Sequence, residues 1–280
     1  MSTAISTDDY VLGTHDEELA RLGLQHRVWR SRALDAWRRA GFTAGQTLLD
    51  VGCGPGYATL DLAEIAGANG RVIALDRSAR FLDALRSAAV RNGLANITAS
   101  QIDLESDPLP AADADGAGGA HGAWVRWVFA FVSRPRDLVA RIAAALRGGG
   151  GLVIHEYFDY RTWSFARPSP LFDEFVQTVM RSWRANGGEP DIARPLIGWL
   201  EEVGFRIESL RPYVDVIAPG EFMFQWPKAF VESGTRRLVD IGELAADRAE
   251  AMRKEFDAQA AAPHARMVNP AVLEIVARRV

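Results

Sequence analysis

The run Leu48-Leu49-Asp50-Val51-Gly52-Cys53-Gly54-Pro55-Gly56 constrains this chain more than any other stretch. Leu48, Leu49 and Val51 form a short apolar segment suited to a buried strand. Three glycines at alternate positions then break it. Gly52, Gly54 and Gly56 admit positive φ and remove Cβ atoms that would keep a ligand off the backbone. The pattern beyond them predicts a helix over Tyr57–Ala66 whose first N–H groups point back at the turn. Dinucleotide-binding turns have an apolar strand running into G-x-G-x-x-G, because the ligand brings its own negative charge. Here Asp50 stands two residues before the first glycine, and the spacing is G-x-G-x-G. A carboxylate facing the turn repels pyrophosphate and suits a ligand that carries an ammonium group.

Downstream, Arg71-Val72-Ile73-Ala74-Leu75-Asp76 reads as a second short strand ending in an acid. Asp76 lies 20 residues after Gly56, where a ribose-binding carboxylate is expected in doubly wound folds. It can accept both ribose hydroxyls, cap the helix beginning near Ser78, or do both. Phe81, Leu82, Leu85, Ala88 and Ala89 share one face of that helix, and Asn92-Gly93 stops it. Asn96–Ile102 reads as a third strand, with Asp103 just past its end.

These segments closely resemble the motifs of the class I S-adenosylmethionine-dependent methyltransferases, small-molecule type. The resemblance covers residues 45 to 156, with 191 to 213 and 271 to 279 matching by pattern alone. It implies an α/β fold: a three-layer, doubly wound, seven-stranded sheet of order 3-2-1-4-5-7-6, last strand antiparallel, with a helical cap. It implies a single domain over 1–280, with core 41–157, 190–213 and 269–280, and cap 8–40, 158–189 and 214–268. The implied cofactor is S-adenosyl-L-methionine. Asp50, Gly52, Cys53 and Gly54 would bracket its methionine part, and Asp76 and Arg77 its ribose. Ile102, Asp103 and Leu104 would cover the adenine, and Arg126 would join the set. Related enzymes fold an N-terminal segment over the cofactor, which brings in Tyr10 and Gln25. The implied activity (EC 2.1.1.-) is methyl transfer to a small, apolar or aromatic molecule by in-line displacement.

A fourth strand reads at Gly122–Val125, where Ala120-His121 replaces the Phe-Asp pair frequent in the family. Pro135–Leu146 reads as a helix, Gly148–Gly151 as a turn, and Leu152–Ile154 as the fifth strand. Open parallel sheets bind ligands beyond the strand carboxyl ends, which singles out Arg126, Trp127, His155, Glu156 and Tyr157. A hydroxyl acceptor requires a general base, and His155 is the candidate because its ordinary pKa lies near neutrality. Candidate acceptor contacts are Trp127 and Tyr157 at the strand ends and Trp163, Phe222 and Trp226 in the aromatic cap segments. Pro195–Val203 reads as a helix, Phe205–Leu210 as the sixth strand and Val272–Ala277 as the last.

Composition narrows the partners. The chain has 280 residues, 32 basic against 36 acidic, and no long basic block, which argues against nucleic acid. Its single cysteine rules out an internal disulfide and a Cys-rich metal site, and the histidines have no metal-ligand spacing. With no leader pattern at the N-terminus and no membrane-length apolar run, a cytoplasmic protein is expected, and a homodimer is compatible with the cap. Two other readings stay open: an S-adenosylmethionine-binding protein that catalyses a non-methylating reaction, and an NAD-linked oxidoreductase, which Asp50 disfavours.

Overall fold

A computed structural model describes residues 16–110 and 119–280. A long helix α1 (Asp16–Arg39) precedes the first five strands and the three α-helices between them. These are β1 (Thr47–Val51), α2 (Tyr57–Ala66), β2 (Arg71–Asp76), α3 (Ala79–Arg91), β3 (Ile97–Gln101), β4 (Ala120–Arg126), α4 (Pro135–Ala145) and β5 (Leu146–Asp159). The remainder comprises β6 (Ser164–Phe165), α5 (Pro170–Ala185), α6 (Ala193–Glu202), β7 (Phe205–Tyr213), β8 (Val216–Ile217), α7 (Gln225–Asp240), α8 (Ala246–Ala261), β9 (Met267–Val268) and β10 (Ala271–Arg279).

The main sheet runs β3-β2-β1-β4-β5-β10-β7, with β10 antiparallel to both neighbours. This is the expected order, once β7 and β10 are counted as the sixth and seventh core strands. Strand order reverses between β1 and β4, so a crevice opens beyond their carboxyl ends. β1 and β2 are almost wholly buried, as strands covered on both faces by helices should be. One face packs Leu49, Ile73, Val125, Ile154 and Ile275 against α4 and α6, and the other packs Leu48, Val72, Trp124 and Val276 against α1 and α2.

Several boundaries differ from the sequence reading. The turn expected at Gly148–Gly151 is absorbed into β5, whose register jumps from Ala120↔Leu146 to Gly122↔Gly151, so the intervening glycines loop out as a bulge. β5 also continues past Ile154 to Asp159, because β10 pairs along it as far as Ala271. β7 and β10 likewise outrun their predicted ends by zipping together. A second small sheet, β6-β9-β8, had no sequence signal: its strands are two residues long and pair segments about fifty and about a hundred residues apart. It ties the cap segments to one another. α5, α7 and α8 enclose a separate aromatic core of Trp163, Phe165, Phe172, Phe175, Phe230 and Phe256.

A candidate cofactor and acceptor cavity

Helix α2 begins at Tyr57 as expected, and Gly52, Gly54 and Gly56 all have positive φ (71°, 54° and 83°). Their missing side chains serve different neighbours. A Cβ on Gly52 would sit 2.3 Å from Val128 Cγ2, and one on Gly56 2.2 Å from Leu85 Cδ1. Only Gly54 has open space ahead, its nearest neighbour being Leu22 Cδ1 at 4.0 Å. Two glycines therefore permit packing and one leaves room for a ligand. Gly56→Ala is expected to cost about 2–4 kcal/mol of stability from overpacking and left-handed strain. Gly54→Ala should cost about 1 kcal/mol but lower cofactor affinity at least ~10-fold. Thermal melts and calorimetric titration of the two variants separate these effects.

A cavity of about 1280 Å³, counted to its open mouth, lies over this turn. Its polar part is lined by Asp50, Gly52, Cys53, Gly54, Asp76, Arg77, Asp103, Leu104 and Arg126, and Gln25 enters from α1. Its aromatic part is lined by Trp127, Phe131, Tyr157, Trp183 and Phe230. Asp50 is buried and accepts a hydrogen bond from Thr59 Oγ1 at 2.6 Å; burial pushes its carboxyl up to about 7. Asp76 accepts from the Gly54 N–H and the Ser78 N–H, both at 2.8 Å, and burial raises its pKa. Ser78 itself caps α3. Asp76 thus braces the capping residue and the glycine turn without being the cap itself, and it also lines the cavity. Asp103 accepts from the Glu105 N–H at 2.9 Å while lining the cavity, so it too is both a turn residue and a wall.

Arg126 is the most informative charged group. Its Nη1 is buried, and desolvation lowers the pKa of the guanidinium to about 10, so it stays cationic near neutrality. One nitrogen, Nη1, has no hydrogen-bond partner among the described residues. An unsatisfied buried cation beside the cavity is costly unless an anionic group completes it. This orphan atom, the ribose-height carboxylate of Asp76 and the open face of Gly54 fit the carboxylate, ribose and methionine chain of S-adenosylmethionine. Cys53 is a buried thiol whose pKa burial raises, which makes it a small turn residue rather than a nucleophile.

Trp127 has φ 51°, an uncommon conformation for a tryptophan. Glu156 holds it there: one carboxylate oxygen accepts the N–H groups of Val128 (2.6 Å) and Phe129 (2.7 Å) directly after it. Trp127 then stacks on Tyr157 at 5.7 Å and on Trp226 at 5.5 Å, completing the aromatic wall.

Some expectations need correction. His155 does not line the cavity. It is fully buried, its Nε2 lies 3.0 Å from Glu274, and burial lowers its pKa. Its neighbour Glu274 also accepts from Arg39 and from the Tyr213 hydroxyl, so the histidine belongs to a network that joins β5, β7, β10 and α1. His155 and Tyr157 share one face of β5, but His155 is covered there by Trp29 and Trp124, whereas Tyr157 lies past the last β4–β5 pair, Arg126↔His155, and reaches the cavity. Ile102 packs on the core beneath the sheet end instead of lining the site. Trp163 and Trp226 border a smaller neighbouring cavity with Tyr160 and Pro270, because they close the cap core. Phe222 is half exposed, on a 3-10 turn leading into α7. Tyr10 lies outside the described residues. His121 is at the amino end of β4, away from the site, accepting from the Thr47 N–H.

The sequence reading overlooked Arg21, Leu22, Tyr57 and Phe131, all cavity-lining, and did not choose Trp183 and Phe230 from among the cap aromatics, though both line the cavity. Arg21 and Leu22 flank Gln25 on α1, so one more helical turn in the reading would have reached them. Trp183 and Phe230 come from cap helices with no motif to mark them.

Comparison with known proteins agrees with this geometry. Residues 48–150 match the sequence model of a family described as methyltransferase domain. Aklanonic acid methyltransferase DauC of Streptomyces sp. strain C5 is 26% identical over 170 residues, which span 59% of this chain and 73% of that protein. The ubiquinone/menaquinone biosynthesis C-methyltransferase UbiE of Hahella chejuensis is 27% identical over 188 residues, spanning 63% and 71%. The fold is also that of geranyl diphosphate methyltransferase in complex with S-adenosylmethionine (TM-score 0.54, 17% identity, 91% of this chain and 87% of that one). It is equally that of the [4+2]-cyclase SpnF (TM-score 0.54, 19% identity, 89% and 80%). Residues 48–150 are thus similar to a methyltransferase domain, and the fold built around them is the one seen in solved S-adenosylmethionine-dependent methyltransferases. Among the described residues, no helix is long and apolar enough to cross a membrane.

Proposed function

We propose that this chain transfers the methyl group of S-adenosylmethionine to a small, flat, largely apolar acceptor, and that residues 1–280 act as one domain whose cap selects it. The observation that carries this reading is the two-part cavity: a polar end at the strand termini continues into an aromatic end. The cavity runs from Gly54 and Asp76 to Trp183 and Phe230, so a cofactor and an acceptor can lie in it side by side. In this reading Asp76 takes the ribose hydroxyls, Asp103 and Leu104 the adenine, Arg126 the carboxylate, and Asp50 faces the ammonium group.

When bound, the cofactor supplies an activated methyl group on a sulfonium. The chain contributes alignment, worth up to ~7–11 kcal/mol for well-oriented reactants. The rings of Trp127 and Tyr157 suit a neighbouring cation and exclude water. With His155 buried within β5, the side chains that line the acceptor end are aromatic rings together with Arg21, Gln25 and Tyr157. That set favours an acceptor atom that needs no histidine base. Two relatives, one named for aklanonic acid and one for ubiquinone and menaquinone biosynthesis, support the small-molecule class.

Isothermal titration with S-adenosylmethionine, S-adenosylhomocysteine and NAD tests the cofactor. Micromolar affinity for the two adenosyl ligands and none for NAD is expected; binding of NAD alone would overturn the reading. Mass spectrometry after incubation with planar hydroxyaromatics, peptides and oligonucleotides then tests the acceptor. A mass gain of one methylene unit confined to peptide or oligonucleotide would refute a small-molecule acceptor. Turnover of a small molecule with no methyl gain would instead favour the non-methylating alternative, a chemistry this fold accommodates in the SpnF cyclase.

A further inference from the structure

Behind Arg126 stands a line of charged and polar groups with no counterpart in the motif reading. His26, on α1, is buried, with Nδ1 3.1 Å from Arg126 Nη2 and Nε2 3.0 Å from Asp61 Oδ2 on α2. A guanidinium only donates. Nδ1 must therefore be the acceptor, and the single ring proton must sit on Nε2 and be donated to Asp61. The tautomer follows from the partners. Asp61 is meanwhile gripped by Arg30 through Nε at 2.8 Å and Nη2 at 3.0 Å, so its charge is balanced without a protonated imidazole. The ring also lies near-parallel to Tyr57, with centroids 6.3 Å apart, and the Tyr57 hydroxyl donates to the Leu19 carbonyl. The imidazole, carried on α1, is thus held between Asp61 and Tyr57 of α2 and Arg126 of β4.

We infer that His26 is a positioning residue: as a neutral imidazole backed by Asp61, it holds the Arg126 fork so that Nη1 meets the ligand's carboxylate. The inference rests on the reading that Arg126 takes that carboxylate. Arg126 lies 5.4 Å from the Trp124 ring centroid and 5.3 Å from that of Trp127, and those rings confine it without satisfying its N–H groups. The hydrogen bond from Nη2 to His26 is the only side-chain hydrogen bond recorded for its fork among the described residues. A second proton on His26 converts that acceptor into a donor and places two cations against each other. The arrangement therefore works only with the ring neutral. Burial, with Arg126 and Arg30 nearby, keeps its pKa below the ordinary histidine value against the pull of Asp61.

The test compares S-adenosylmethionine with its decarboxylated form, which keeps the sulfonium, ribose and adenine but lacks the carboxylate. Calorimetric titration of wild type should show at least ~10-fold preference for the intact cofactor, equivalent to about 1.4 kcal/mol. His26→Gln keeps a donor near Nε2 for Asp61 but offers Arg126 no acceptor at Nδ1. Its preference should fall below ~3-fold, with affinity for the decarboxylated ligand little changed. His26→Asn places an oxygen near the Nδ1 position and should restore the preference.

Acidification should erode the wild-type preference and leave that of His26→Asn flat. Asp50, Asp61 and Arg30, the other charged groups facing this line, are present in both proteins, so the difference isolates His26. If wild type shows no preference, the reading of Arg126 fails and this inference falls with it. If wild type shows the preference and His26→Gln keeps it, the inference alone is overturned. Equal loss of both ligands in His26→Gln would likewise overturn it, by showing that the histidine merely holds the fold.

Discussion

Asp76→Ala is expected to weaken binding of S-adenosylhomocysteine by at least ~100-fold while leaving the chain folded. A carboxylate that accepts two ribose hydroxyls makes two charge-assisted bonds worth roughly 1.5–3 kcal/mol each. Together that is about 3–6 kcal/mol, or a factor of ~10²–10⁴. The same carboxylate also takes the Gly54 and Ser78 N–H groups, so its removal loosens the glycine turn as well. Asp76→Asn keeps a single acceptor oxygen and should fall between wild type and the alanine variant. Burial raises the pKa of Asp76, and its ionised form is the one that accepts from ribose. Affinity should therefore decline as pH falls through that raised value, and the decline should be absent in Asp76→Asn. Titration calorimetry across pH measures both effects. Asp76→Ala binding within ~3-fold of wild type would remove Asp76 from the cofactor site.

The second large effect is on stability. Glu156→Leu should destabilise the fold by about 3–5 kcal/mol, because it strands two buried backbone donors at roughly 1–3 kcal/mol each and frees the strained Trp127. Glu156→Gln keeps the accepting oxygen and should cost about 1 kcal/mol or less. The glutamate also carries a pH signature. Burial pushes its pKa from 4.5 up to about 8, despite the backbone N–H groups that pull it down. A carboxyl whose folded pKa is raised binds its proton more tightly when folded. Its contribution is whole below the unfolded value and is lost as pH rises from about 4.5 to about 8. The stability difference between wild type and Glu156→Gln should therefore shift across that window, at up to about 1.4 kcal/mol per pH unit. Urea denaturation at several pH values measures it. A difference independent of pH would mean that Glu156 is not buried in this way.

How far the chain could be read follows from the range of the interactions involved. The Leu48–Gly56 turn, the acid at Asp76 and the helix cap at Ser78 are local, each decided by residues within a few positions of one another. Strand order was readable because a right-handed βαβ connection leaves few arrangements. His155 was misplaced for a different reason. Its position at a ligand-facing strand end is a local fact, but its partner Glu274 is 119 residues away, and only that pairing turns it from a reagent into a structural group. The lengths of β5, β7 and β10 depended in the same way on distant pairing, and the three-stranded cap sheet depended on nothing else. Trp163, Trp226 and Phe222 share the composition of Trp183 and Phe230, yet only the latter two face the main cavity.

The sequence by itself determined the cofactor end of this protein: an acid before a glycine turn, a second acid at the next strand end, and the helix starts that go with them. Backbone conformation and short-range hydrogen bonding are encoded within a few residues, so this part is legible as text. Tertiary structure alone decided which aromatic rings wall the cavity, which histidine is buried in a structural network, and which one stands behind Arg126. Those outcomes depend on how helices from both ends of the chain pack over the sheet, and burial and partner choice over such separations leave no local pattern to read.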